Sequence, residues 1–132
     1  MEYRAARVTT SPEGKYRQTV SVGPHTLASD VLQKDGGDDA GLEPHEFLLA
    51  GLGACTAITL QMYAGRKGWK LTKVDVTVTA EHVDGAFVMH RELALEGELD
   101  DEKRTRLKEI AEKCPVHKTL TGTVRIETTL AR

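Results

Sequence analysis

From Lys73 to Ala80 polar and apolar residues alternate strictly: Val74, Val76, Val78 and Ala80 fall on one side of an extended chain, Lys73, Asp75, Thr77 and Thr79 on the other. A period of two sends successive side chains to opposite faces, so this is a half-buried strand. Asp84-Gly85, inside "VDGA", is a strong hairpin-turn signal. The return strand sets Phe87, Met89, Leu93 and Leu95 on one face, His90, Glu92 and Glu96 on the other.

Upstream the period is helical. Pro44 suits a first helical position, where its missing N–H costs no hydrogen bond, and Glu46 in the first turn complements the helix dipole. The pattern predicts a helix from Pro44 to Lys67, about six turns at 3.6 residues each. Phe47, Leu48, Leu49, Leu52, Cys55, Ile58, Leu60, Met62 and Tyr63 cover most of its circumference, the mark of a central helix enclosed on several sides. Gly51 and Gly53 each cost roughly 1 kcal/mol against alanine in a helix interior. Such positions let another backbone come close, and a helix from a second subunit would explain them.

The remaining elements are shorter. Tyr3 to Val8 and Tyr16 to Val22 flank "SPEG" and predict an N-terminal hairpin, with "HTLASDV" as a third strand. "QKDGGDDAGLEP" reads as a surface loop. A polar-faced helix runs from Asp100 or Asp101 to Cys114, with Leu107, Ile110, Ala111 and Cys114 on its apolar side and Pro115 stopping it. "GTVRIETTL" alternates again and predicts a last strand. The order of strands, long helix, hairpin, helix and strand, without βαβ repeats, defines an α+β fold in a single domain spanning residues 1–132.

Charge narrows the partners. Eighteen basic and twenty acidic residues give a net charge of -2, and the basic ones are scattered rather than striped, which argues against nucleic acid. The N-terminal segment lacks the apolar region of an export signal, and the longest apolar stretch, Phe47 to Met62, is interrupted by glycine, threonine and glutamine. The expectation is a cytoplasmic protein, neither exported nor membrane-spanning. Two cysteines are too few for a disulfide framework, so a pairing of Cys55 with Cys114 would belong to a reaction cycle.

Cys55 lies about three turns inside its helix, beyond the reach of the N-terminal dipole, and taken alone it reads as a core residue. Cys114, at a helix end before proline, is more suggestive. A thiol peroxidase needs a thiolate, a cationic donor to hold it, and a second thiol to trap the sulfenic acid. Cys55, Cys114 and His117 are also conceivable metal ligands, but a Cys-x-x-His pair supplies too few donors for a zinc site. The "DGGDD" cluster lacks the spacing of a calcium loop. His45 and Glu46 read first as ordinary polar residues of a first helical turn, and His82 and His90 as surface side chains.

"PHEFLLAGLGACTAITLQMYAGRKGW" followed by "CPVHKTL" resembles the OsmC/Ohr family of osmotically inducible and organic hydroperoxide resistance proteins, and "HTLASD", the "GG" pair and the Pro-x-Glu helix start look most like its OsmC-like branch. The resemblance implies an intertwined homodimer, with antiparallel sheets wrapped around long central helices and active sites at the subunit interface. It implies a peroxidase for organic hydroperoxides, with Cys55 as peroxidatic thiolate, Cys114 as resolving thiol and a lipoyl-type dithiol as reductant, without metal or flavin. An apolar setting for Cys55 favours a bulky peroxide over hydrogen peroxide. The partners of the thiolate match less closely. The family's glutamate directly follows the helix-opening proline, where this chain has His45 and places Glu46 one residue later, roughly 100° around the helix. The family's arginine lies in an N-terminal turn this chain does not reproduce; Arg17 is the nearest candidate and Arg7 another. These departures leave open a non-enzymatic alternative, a protein binding an apolar or thiol ligand in the same interface pocket.

Overall fold

A computed structural model describes residues 3–131 of the chain. It divides into two compact units, Met1–Leu48 and Leu49–Arg132.

The N-terminal unit is a three-stranded antiparallel sheet of β1 (Ala6–Thr10), β2 (Gln18–Val22) and β3 (His25–Ser29), in that spatial order. Pairing runs from Ala6↔Val22 to Thr10↔Gln18 and from Gln18↔Ser29 to Val22↔His25. The expected hairpin and third strand are present, with β1 placed further along the chain than its pattern suggested. Its register is fixed by the turn, where the Ser11 N–H donates to the Arg17 carbonyl at 2.9 Å. The glycine- and aspartate-rich loop is more ordered than a solvated linker. It holds a 3-10 turn at Gln33–Asp35, and the buried Asp30 carboxylate accepts from the N–H groups of Val31, Asp38 and Ala40. Desolvation pushes that carboxyl up, but the three backbone donors and Arg17 outweigh it and hold it below the ordinary 3.8.

Helix α1 spans Pro44–Lys67, the range its sequence pattern predicts. Glu43 and Glu46 cap its start reciprocally: the Glu43 carboxylate accepts from the His45 N–H at 3.1 Å, and the Glu46 carboxylate accepts from the Glu43 N–H at 2.8 Å.

In the C-terminal unit β4 (Lys70–Val83) and β5 (Ala86–Glu98) form a long antiparallel hairpin. Asp84 and Gly85 both take positive φ, 49° and 82°, as a two-residue turn of this hand requires. Leu71, Val74, Val76, Val78 and Ala80 are half-buried while the intervening residues are exposed, as the alternation predicts. Against the hairpin lie α1 and α2 (Asp101–Ala111), with Leu60, Leu107, Ile110 and Ala111 as the buried cluster and Trp69, Val74, Leu93 and Leu95 packed around it. Asp100 caps α2 by accepting from the Lys103 N–H at 2.8 Å.

Three expectations are corrected. Helix α2 ends at Ala111, and Pro115 opens a further helix, α3 (Pro115–Thr121), occupying the first-turn position that proline favours. No strand forms from Gly122 to Ala131: Val124, Ile126 and Leu130 remain 61%, 84% and 87% exposed, because alternation makes a strand only where a sheet edge accepts it. Nor is α1 enclosed on several sides within this unit. It buries the stripe Leu52, Thr56, Leu60 and Ala64 and leaves Ala54, Ile58 and Met62 exposed. A methyl group placed on Gly53 would meet Val78 of β4 at 3.6 Å, whereas one on Gly51 would meet nothing within 4 Å. By length and composition α1 could cross a membrane, a test that core helices also pass.

Candidate active site

The site grows from the buried stripe of α1. Thr56 follows Leu52 by four residues, so it points into the same protein interior and is itself fully buried. A buried hydroxyl must find partners. It donates to the Leu52 carbonyl at 2.7 Å and accepts from Arg91 Nη1 at 3.1 Å. Arg91 belongs to β5, on the same face as Met89 and Leu93, and its guanidinium reaches inward where its neighbours offer only apolar surface.

Cys114 arrives from the opposite side. The break between α2 and α3 makes it the cap of α3, with its Sγ accepting from the His117 N–H at 3.4 Å. It is fully buried. Arg91 Nη1 also donates to Cys114 Sγ, at 3.9 Å, and Thr56 Oγ1 lies 3.8 Å from the same sulfur. Arg91 Nη2 meets His117 Nδ1 at 3.0 Å. An arginine has donors only, so Nδ1 accepts and the ring proton of the neutral imidazole sits on Nε2.

Cys55 neighbours Thr56 on α1 but is only partly buried. Its Sγ accepts from the Val116 N–H at 3.4 Å and lies 4.0 Å from Thr59 Oγ1. The two thiols therefore exchange neighbours: the residue after Cys55 contacts Cys114, and the second residue after Cys114 contacts Cys55. Both are free thiols.

Beside them a cavity of about 200 Å³ is walled by Leu52, Phe87, Met89 and Leu120, with Arg91, His117 and Thr121 as polar members. Larger hollows, of about 600 and 670 Å³, border Trp69 and Arg106 in one case and Arg91, Glu92 and Lys108 in the other; none of the three is lined by a thiol. The smaller one holds both Arg91 and His117, the two residues whose N–H groups reach Cys114 Sγ.

The remaining sequence candidates have other partners. Arg17 ion-pairs with Glu13 at 3.2 Å and Asp38 at 3.8 Å inside the N-terminal unit. Its Nε is buried without a hydrogen-bond partner. Glu46 caps α1, and His45 Nδ1 pairs with Glu43 at 2.9 Å. Among the described residues no three His, Cys, Asp or Glu side chains group as a metal-binding set. Sequence reasoning missed Arg91 and Thr56. The signal was present for both: Arg91 has the parity of Phe87, Met89, Leu93 and Leu95, and Thr56 sits on the Leu52–Leu60 ladder.

Two free thiols, an arginine and a histidine thus come together where α1 and the Cys114–Pro115 break meet the hairpin of an α+β chain. The family model of OsmC-like protein matches residues 36–129, and the chain belongs to that family. Solved structures share its fold at low identity. An OsmC like protein from Mycoplasma pneumoniae is 20% identical with a TM-score of 0.75, covering 92% of this chain and 89% of that one. The organic hydroperoxide resistance protein OsmC from Legionella pneumophila is 18% identical with a TM-score of 0.68, covering 92% and 91%. The organic hydroperoxide resistance protein OhrB of Bacillus subtilis is 24% identical with a TM-score of 0.60, covering 89% and 91%. No curated protein matches the chain in sequence.

Proposed function

We propose that this protein is a cytoplasmic thiol peroxidase that reduces organic hydroperoxides to alcohols. Cys55, the more accessible thiol, attacks the O–O bond as thiolate, releases the alcohol and becomes a sulfenic acid. Cys114 then displaces water to form a Cys55–Cys114 disulfide, and an external dithiol of lipoyl type returns both to thiols. The observation that carries this reading is the exchange of neighbours between the two sulfurs, Thr56 beside Cys55 in the chain lying on Cys114 and Val116 near Cys114 in the chain lying on Cys55, with Arg91 beside Cys114. Family membership and the hydroperoxide resistance proteins sharing the fold support it. The apolar walls of the adjoining cavity favour a bulky peroxide, since each buried methylene is worth about 0.8 kcal/mol. Glu46 and Arg17 are given the work that their observed bonds do, capping α1 and tying down the N-terminal loop.

The same reading includes a homodimer. The exposed apolar residues Ile58 and Met62 on α1, the open space at Gly51, and the alternating segment from Gly122 onward that no sheet edge accepts are the features a second copy would cover.

The test is the intact mass of the reduced protein before and after one equivalent of cumene hydroperoxide, with peptide mapping. Loss of two hydrogens and a link between Cys55 and Cys114 within one chain is the expected result, absent in Cys55→Ser. Two thiols still free after minutes would refute the proposal.

A further inference from the structure

Donors are distributed unequally between the two sulfurs. Cys55 receives one backbone N–H and has the neutral Thr59 hydroxyl at 4.0 Å, whereas Cys114 receives a backbone N–H and the charged guanidinium of Arg91. A charge-assisted donor stabilises a thiolate far more than a thiol, and more so where water is excluded, as it is around the fully buried Cys114. Arg91 is also held in place from both sides, by Thr56 Oγ1 on Nη1 and by His117 Nδ1 on Nη2. Its position is thus determined before any substrate arrives.

Resting on the peroxidase reading, we propose that Arg91 is a catalytic residue of the second half-reaction, serving Cys114 as it attacks the oxidised Cys55, rather than of the attack on peroxide. In that step Cys114 gives up its proton, its sulfur lone pair forms the S–S bond, and the S–O bond of the Cys55 sulfenic acid breaks. The departing hydroxide takes a proton and leaves as water. The sulfenic sulfur is reduced and Cys114 oxidised within the pair, so no further oxidant or reductant is required. Arg91 does not transfer a proton, since guanidinium stays protonated; its charge holds the Cys114 thiolate beside its target. Thr56 offers a second adjustment. Once Cys114 loses its proton, the Thr56 hydroxyl can turn its own from the Leu52 carbonyl toward the sulfur.

The assignment predicts a split between two rates that a general structural role would not produce. In Arg91→Met, which also alters a wall of the adjoining cavity, labelling of the Cys55 sulfenic acid by dimedone after a pulse of cumene hydroperoxide measures any change in the first step. Conversion of the sulfenic acid to the disulfide should slow at least tenfold, approaching Cys114→Ser, which cannot resolve. Arg91→Lys should recover a substantial part of the resolution rate by restoring the charge. Wild-type disulfide formation with an Arg91→Met resolution rate within twofold of it would overturn this inference while leaving the peroxidase intact. Equal slowing of both steps in Arg91→Met and Arg91→Lys would also overturn it, reducing Arg91 to a structural part. If the wild-type protein forms no disulfide, the peroxidase reading itself fails and this inference with it.

Discussion

Replacing Ile58 tests the face of α1 proposed to meet a second copy. Ile58 retains 51% of its surface exposed and Met62 60%, on the side of the helix opposite the Leu52, Thr56, Leu60 and Ala64 stripe. Fully burying such a side chain contributes about 1.5–3 kcal/mol, so covering the exposed half of Ile58 is worth about 1 kcal/mol in each copy. In a two-fold interface every residue is used twice. Ile58→Ala should therefore weaken the dimer by about 2 kcal/mol, roughly thirtyfold in its dissociation constant. Ile58→Lys goes further, because two ammonium groups would have to leave water without a partner, at a cost of several kcal/mol. Analytical ultracentrifugation over nanomolar to micromolar concentrations reads both. The expected order is a wild-type dimer, a weaker Ile58→Ala dimer, and an Ile58→Lys monomer that keeps its far-ultraviolet dichroism. A lysine variant that dimerises as tightly as the wild type would show that this face is not the interface.

Two further outcomes follow from the core and the loop. Leu107→Ala empties a fully buried position against Leu60 and Ile110 and should cost about 3 kcal/mol, read as a lower urea midpoint at unchanged slope; a loss under 1 kcal/mol would mean that α2 does not seal the core as described. Asp30, held below its ordinary 3.8, binds fewer protons folded than unfolded, so its contribution is present above that value and lost as the pH falls through its lower folded value. The amide proton shifts of Val31, Asp38 and Ala40 should titrate together with an inflection below 3.8, and an inflection at or above it would contradict the hydrogen-bonded loop.

The elements most legible in sequence were those whose pattern alone determines them. The alternation of Val74, Val76 and Val78 and the Asp84-Gly85 turn specify a hairpin with local information, and Pro44 with Glu46 marks the start of α1. Segments whose structure depends on a partner were not legible. The alternation from Val124 to Leu130 carries one half of a strand, but a ladder needs a second strand to accept it. Pro115 was ambiguous for another reason: proline ends a helix that reaches it and suits the first turn of the next, and only the placement of α2 decides.

The candidate site shows the same division. Both thiols could be picked out from their surrounding motifs, but the arginine beside Cys114 could not, because sequence distance says nothing about which strand will face a helix. Arg91 nevertheless breaks a rule that was in view. An arginine with the parity of Phe87, Met89, Leu93 and Leu95 must either turn outward or bring its charge into the interior, and the second course demands acceptors. Those acceptors are Thr56, Cys114 and His117, from three other parts of the chain. A polar residue on an apolar face thus identifies a network before its members are known. Had Thr56 on its leucine ladder been weighed with Arg91 on its strand, the two exceptions would have pointed at each other, and the sulfur between them would have been the place to look.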